Sequence, residues 1–231
     1  MTRPKNRAAD PKQPPAAKAR VLIVDDHELL RQGLRAMISS DRGLEVCGEA
    51  SDQASAMQLA RQCDPNIVVV DVSLGDTNGL DLVKLLRKHC PDSKMIVSTM
   101  HEEKVYGERA LRAGAHGYVC KQDPAGTVLT AIRQVLDGKL AFSEELTNRV
   151  LQRAMHEHGQ MEESPVSTLS GRELEVFRLI GQGIKAHDIA KRLHVSPSTL
   201  DTYRSRLKSK LNAESGAELT RQAVQWVLEN G

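Results

Sequence analysis

The sequence predicts a two-part chain: a doubly wound α/β domain built on a five-stranded parallel sheet, then a small all-α domain. Three observations predict it. Across 20–138, short β-branched runs alternate with segments whose apolar residues recur every three or four positions, the signature of strands alternating with covering helices. Beyond 166 the helical spacing continues and no strand candidate follows. Charge divides along the same line, with a net +5 on 1–20 and +3 on 166–231, which leaves −6 on 21–165. At 231 residues the chain can fill two hydrophobic cores without a disulfide or metal staple.

Taken in order, residues 1–19 hold Pro4, Pro11, Pro14 and Pro15 and no periodic apolar residues, so a disordered basic tail is expected. Strands are expected at Val21–Val24, Leu44–Gly48 (the weakest), Ile67–Val70, Met95–Thr99 and Gly117–Cys120, each bounded by Asp, Gly or Pro. Helices are expected at Glu28–Ser39, Ala54–Gln62, Gly79–His89, Val105–Ala113 and Pro124–Leu136, the last stopping at Asp137-Gly138. Residues 139–165 read as a helical or irregular linker ending near Gly159 and Ser164-Pro165. Four more helices are expected at Gly171–Gln182, Ala186–Leu193, Pro197–Leu211 and Gly216–Leu228. Ser170 with Glu173 has capping-box spacing, and Ser196-Pro197 offers a cap with Pro at the first helical position.

Composition narrows the function classes. The longest uninterrupted hydrophobic run is four residues, far below the ~18 that a spanning helix needs, so no membrane segment is expected. The first twenty residues lack an apolar stretch, so no secretory signal is expected and the chain is placed in the cytoplasm. Cys47, Cys63, Cys90 and Cys120 show no CxxC or Cys/His spacing, and reduced, mostly buried thiols are expected. The six aromatic residues are too few for a platform that stacks single-stranded nucleic acid, whereas double-stranded DNA remains open.

In an all-parallel sheet the residues just past the strands meet along one edge, where function is to be sought. They are Asp25 and Asp26 after the first strand, Asp71 after the third, Thr99 ending the fourth and Lys121 after the fifth. Clustered carboxylates repel unless a cation sits among them, and an all-oxygen set suits Mg²⁺, which also holds phosphate. A carboxylate beside that cation can attack phosphorus, while an ammonium and a hydroxyl contact the phosphoryl oxygens. The set is suited to accepting a phosphoryl group.

At these residues the chain resembles a bacterial response-regulator receiver domain over about 20–138. The likeness is carried by Val21-Leu22-Ile23-Val24-Asp25-Asp26-His27, Pro65-Asn66-Ile67-Val68-Val69-Val70-Asp71, Gly79-Leu80, Thr99-Met100-His101 and Ala113-Gly114-Ala115-His116-Gly117-Tyr118-Val119-Cys120-Lys121. The resemblance implies a flavodoxin-like fold in which Asp71 takes phosphate from a sensor histidine kinase. It implies Mg²⁺ held by Asp25, Asp26, Asp71 and the Ser73 backbone carbonyl. Thr99 then moves onto the phosphoryl oxygen and Tyr118 follows inward as the switch aromatic. Two departures stand out: Gly75 replaces the family's common Pro and leaves that loop freer, and Gln122-Asp123 after Lys121 lacks the cis-Pro of many receivers.

The helical part resembles a LuxR-type helix-turn-helix domain through Leu169-Ser170-Gly171-Arg172-Glu173-Leu174-Glu175-Val176, Gly183-Ile184, Asp188-Ile189-Ala190, Leu193-His194-Val195-Ser196 and the stretch Thr199 to Leu211. Together the halves resemble the NarL/FixJ group of response regulators. At 100° per residue, Leu200, Tyr203, Leu207 and Leu211 form one stripe for the core. Thr202, Ser205 and Ser209 face away, flanked by Asp201 and Arg206, with Arg204, Lys208 and Lys210 nearer the core stripe. A helix in a major groove presents small polar residues to base edges and long basic ones to phosphates, so these eight are the DNA-binding candidates. Asp201 stands where the family often has Lys.

The combined expectation is a two-component transcription regulator, phosphorylated on Asp71, that forms a homodimer and binds double-stranded promoter DNA. Two other classes are weighed beside it. A phosphatase would want a second carboxyl as general acid two residues after the nucleophile, but position 73 is Ser, so a turnover enzyme is not expected. A phosphorylation-independent DNA binder would use the receiver only as a dimerisation scaffold.

Overall fold

The computed structural model describes residues 17–75, 77–124, 126–156, 165–193 and 195–230. Residues 1–16 of the expected tail lie outside the described residues, and Ala19 already belongs to the first strand. The N-terminal domain runs β1 (Ala19–Val24), α1 (Glu28–Ser39), β2 (Leu44–Ala50), α2 (Gln53–Cys63), β3 (Ile67–Val70), a short hairpin of β4 (Ser73–Leu74) and β5 (Thr77–Asn78), α3 (Gly79–His89), β6 (Lys94–Thr99), α4 (Glu103–Ala113), β7 (Gly117–Cys120) and α5 (Thr127–Leu136).

The five long strands pair in parallel in the order β2-β1-β3-β6-β7. The order reverses between β1 and β3, which opens a crevice at their carboxyl ends. Register brings the ends level: Val24 pairs with Val70 and Val70 with Val97, so Asp25 and Asp71 emerge side by side. The Asp71 amide donates to the Val24 carbonyl at 2.8 Å, which extends the ladder into the site.

Alternation along each strand fills both faces. Val21, Ile23, Ile67, Val69, Ile96 and Val119 pack against Ile38 of α1 and Val128, Ile132 and Val135 of α5. Leu22, Val24, Val68, Val70, Met95 and Val97 point the other way, toward α2, α3 and α4. That second core continues without a break into the C-terminal helices through Leu174, Phe177, Leu200 and Leu207.

After α5, Ala141 bridges to Gly117 at the sheet edge, and α6 (Glu144–His156) returns over α4 with Leu146 buried. A 3-10 turn, Pro165–Thr168, leads into α7 (Gly171–Gly181), α8 (Ala186–Arg192), α9 (Pro197–Lys210) and α10 (Gly216–Asn230). The Ser170/Glu173 capping box forms, and Ser196 caps α9 with Pro197 in its first turn.

Gly75 turns the β4–β5 hairpin with φ +54°, and its amide donates to Asp26 Oδ2 at 3.0 Å. Proline has neither that φ nor that amide, so the departure from the family pattern has a structural cause. The last receiver helix begins at Thr127 rather than Pro124, with Gly126 at its N-cap. Finally, all four thiols are free, and each is half-buried rather than buried. No helix among the described residues is long and apolar enough to cross a membrane.

Candidate functional site

Asp25, Asp26 and Asp71 meet at the crevice, and one ligand atom from each of them and from His27 lies within 4.8 Å of the others. Asp25 is 1% and Asp71 4% exposed, whereas Asp26 and His27 open to solvent. Lys121, at the end of β7, lays its ammonium between the two buried carboxylates, 2.5 Å from Asp25 Oδ2 and 2.6 Å from Asp71 Oδ2. Its backbone is fixed by an amide bond of 2.7 Å to the Thr99 carbonyl.

The electrostatics follow from burial. Removal from water pushes the Asp71 carboxyl up to about 6, although Lys121 pulls the other way. Burial works against the Lys121 charge too, but Asp71 and Asp25 outweigh it and hold its pKa above the ordinary lysine value. Asp25 Oδ2 meets the Lys121 ammonium and Asp26 Oδ1 the His27 ring, which leaves each of these buried oxygens a spare lone pair. Hard oxygens with spare lone pairs in this arrangement fit a small divalent cation.

Ser73 donates its amide to Asp71 Oδ1 at 3.2 Å and sits in β4 opposite Asn78. Gly79 opens α3 directly behind Asp71, where a Cβ would stand 1.8 Å from the Asp71 carbonyl oxygen. The close packing of α3 on the site therefore requires glycine there.

From the crevice a line of buried groups leads to the second domain. Thr99 is buried, and its hydroxyl accepts from the His101 amide at 3.5 Å. Tyr118 is buried and donates its hydroxyl to the His101 carbonyl at 2.9 Å. The His101 ring stacks on Tyr106 with centroids 4.4 Å apart. Tyr106 in turn donates to the Gly171 carbonyl in α7 at 2.9 Å, and Arg109 of the same α4 donates to the Leu169 carbonyl. Burial raises both tyrosine pKa values and lowers that of His101, so these groups stay neutral at physiological pH. Sequence reasoning missed His101 and Tyr106 in this role because the contact that gives it to them, Tyr106 with Gly171, joins groups 65 residues apart. His27, which directly follows the Asp pair, carried a clearer signal.

The α9 candidates divide by exposure. Asp201, Thr202, Ser205, Arg206, Ser209 and Lys210 are exposed, Arg204 and Lys208 are half-buried, and Leu200, Tyr203 and Leu207 face the core. Lys210 is committed inward: it pairs with Glu173 at 2.6 Å and donates to the Thr168 carbonyl at 3.2 Å. It therefore braces the capping box of α7, apart from the outward Thr202–Ser205–Ser209 line.

Sheet, pocket and helical domain together define an α/β domain with an acidic pocket at its sheet edge, joined to a helical domain of helix-turn-helix type. Residues 21–133 match the response regulator receiver domain family, and 167–223 match the luxR family of bacterial regulatory proteins. The chain is 34% identical over 210 residues to the response regulator UvrY of Escherichia coli K12, covering 91% of this chain and 95% of that one. It is also 34% identical over 206 residues to the response regulator GacA of Pseudomonas aeruginosa, covering 89% and 95%. A solved structure of the Salmonella typhimurium response regulator RcsB shares the fold, with TM-score 0.57 and 24% identity over 90% of this chain and 98% of that one. The chain belongs to the two-component response regulators that join a receiver to a LuxR-type DNA-binding domain, the NarL/FixJ group.

Proposed function

We propose that Asp71 is the phosphoryl acceptor and that its phosphorylation by a sensor histidine kinase governs dimerisation and binding to promoter DNA. The observation that carries this reading is Lys121 held between Asp25 and Asp71 at the sheet edge. Asp25, Asp26, Asp71 and the Ser73 carbonyl would hold Mg²⁺, which when bound offsets carboxylate charge and polarises the phosphoryl group.

The Asp71 carboxylate attacks phosphorus in line as the P–N bond to the kinase histidine breaks and its imidazole leaves, and Lys121 turns from the carboxylates toward a phosphoryl oxygen. Thr99 donates its hydroxyl to another, which frees the His101 amide contact and lets Tyr118 follow. The added negative charge of ~1.5–2 is enough to bias a two-state surface. Because His101 stacks on Tyr106 and Tyr106 holds Gly171, the change reaches the first turn of α7.

The chain is a stoichiometric acceptor rather than a turnover enzyme, since Ser73 supplies no acid to expel a product. Released domains pair on two half-sites, with Thr202, Ser205, Ser209, Asp201 and Arg206 toward bases, and Arg204 and Lys208 toward phosphates. Such a regulator works in the cytoplasm. The test is phosphate-affinity gel mobility of wild type and Asp71→Ala after incubation with Mg²⁺ and acetyl phosphate. A retarded band in wild type alone supports the assignment, and equal retardation of the variant refutes it.

A further inference from the structure

We propose that Cys47 and Cys63 form a redox pair that closes to an intrachain disulfide when hydrogen peroxide oxidises the receiver domain. Their sulfurs are already 3.1 Å apart, and both residues are half-buried, hence within reach of a small oxidant. Bond formation needs an approach of only about 1 Å, to the ~2.05 Å of a disulfide.

Strand alternation aims Cys47 at α2, since Leu44 and Val46 face the α1/α5 layer and Cys47 the opposite one. The β1–β2 register runs Val21 with Val46 and then Leu22 with Gly48, so Cys47 is the extra, unpaired residue of a β-bulge. A bulge re-aims a side chain out of strict alternation. Here it sets Gly48 on the same side of the strand as Cys47, where Cys47 packs in the layer of α2 and a Cβ at Gly48 would meet Leu59 of α2. Cys63 closes that helix, its thiol donating to the Leu59 carbonyl at 2.9 Å, just before Asp64 takes a left-handed φ of 41°. β2 is the edge strand of the sheet, bonded on one side only, so it can shift toward α2 without breaking a second ladder.

The chemistry assigns the order of events. Burial and the neighbouring Cys63 thiol push Cys47 up to about 12, so Cys47 stays protonated and does not open the reaction. The Cys63 sulfur attacks the peroxide O–O bond and becomes a sulfenic acid, releasing water. The Cys47 thiol, held against that sulfur, then attacks it as its proton passes to the departing sulfenic hydroxyl, and a second water leaves. Two thiols lose two electrons and two protons, and the peroxide is reduced to two waters. A reducing cytoplasm reopens the bond, so the state is a transient one.

Trypsin reads the pairing directly because Arg61 divides the two thiols between peptides 43–61 and 62–84, with Cys90 in a third. The full-length protein is reduced, freed of reductant, treated with hydrogen peroxide, alkylated and analysed by intact mass and peptide mapping without reduction. Expected are a mass loss of about 2 Da that dithiothreitol reverses, and a cross-linked 43–61/62–84 peptide. Cys90→Ser and Cys120→Ser keep the cross-link, whereas Cys47→Ser and Cys63→Ser lose it. The wild-type map stands even if a serine variant folds poorly. A Cys63–Cys90 cross-link overturns the proposal. So does Cys63 carried on to sulfinic acid while Cys47 remains alkylated.

Discussion

Replacing Asp71 by Asn stabilises the unphosphorylated protein at neutral pH, and acid removes the gain. Burial outweighs the attraction of Lys121 and lifts the Asp71 pKa from 3.8 to about 6. A carboxyl whose folded pKa lies above its unfolded one binds more protons folded than unfolded between those values. Wild type therefore carries the full cost of the buried charge above about pH 6 and recovers it as pH falls toward 4. Two pKa units correspond to about 3 kcal/mol. That figure is already net of the attraction of Lys121, which in the variant keeps Asp25 at 2.5 Å, so the gain is about 3 kcal/mol. For a chain of this size that is roughly 6–12 °C in Tm. Calorimetry in metal-free buffer measures it, with wild type and Asp71→Asn compared at about pH 7.5 and again at about pH 4.5. An Asn variant no more stable at the higher pH, or a gain that grows on acidification, would refute the reasoning.

Other outcomes follow from the same geometry. Mg²⁺ at a hundred times its Kd raises wild-type stability by about 2.7 kcal/mol and that of Asp71→Asn by less, and equal shifts in calorimetry would count against the carboxylate site. Tyr106→Phe deletes the buried bond to Gly171 at a cost of about 1 kcal/mol, so hydrogen exchange at the α4–α7 contact speeds up about fivefold, and unchanged exchange contradicts the link. Glu173→Gln weakens the capping box and the Lys210 pair by about 1–3 kcal/mol in urea melts followed by Trp226 fluorescence. Burial opposes ionisation of Glu173, but Lys210 and the Ser170 amide hold its pKa below the usual range. Its contribution is thus present at neutral pH and lost as pH falls through that lowered value, where variant and wild type converge. Gly75→Pro removes the amide bond to Asp26 and forbids φ +54°; a Tm equal to wild type would show that the hairpin does not need either.

What was legible in the sequence was periodic or punctuated. The strands Val21–Val24 and Ile67–Val70 are unbroken β-branched and aliphatic runs ending in Asp, so both the sheet and its acidic edge followed from them. Ser170, Glu173 and Ser196-Pro197 marked helix starts that the structure bears out through side-chain caps. The β4–β5 hairpin escaped because two-residue strands leave no alternation to read, and Gly75 alone signals only a turn. The link from His101 through Tyr106 to Gly171 escaped for a different reason: it joins groups 65 residues apart across a seam, and no local pattern encodes such a pairing. Lys210 resembled Lys208 and Arg206 by charge and lay about 40° from Arg206 around the helix, yet a buried acid at Glu173 draws it inward.

The measurement that tests the account most directly is the affinity of the full-length protein for DNA with and without phosphorylation. Fragments enriched from a random pool by acetyl-phosphate-treated protein would be titrated by fluorescence anisotropy at one fixed salt concentration, against wild type and Asp71→Ala. Tightening by about tenfold or more, equal to about 1.4 kcal/mol, is expected for treated wild type and none for the variant. Equal affinity in treated and untreated wild type, with Asp71 demonstrably phosphorylated, would contradict a coupling between the acidic pocket and the DNA-binding domain.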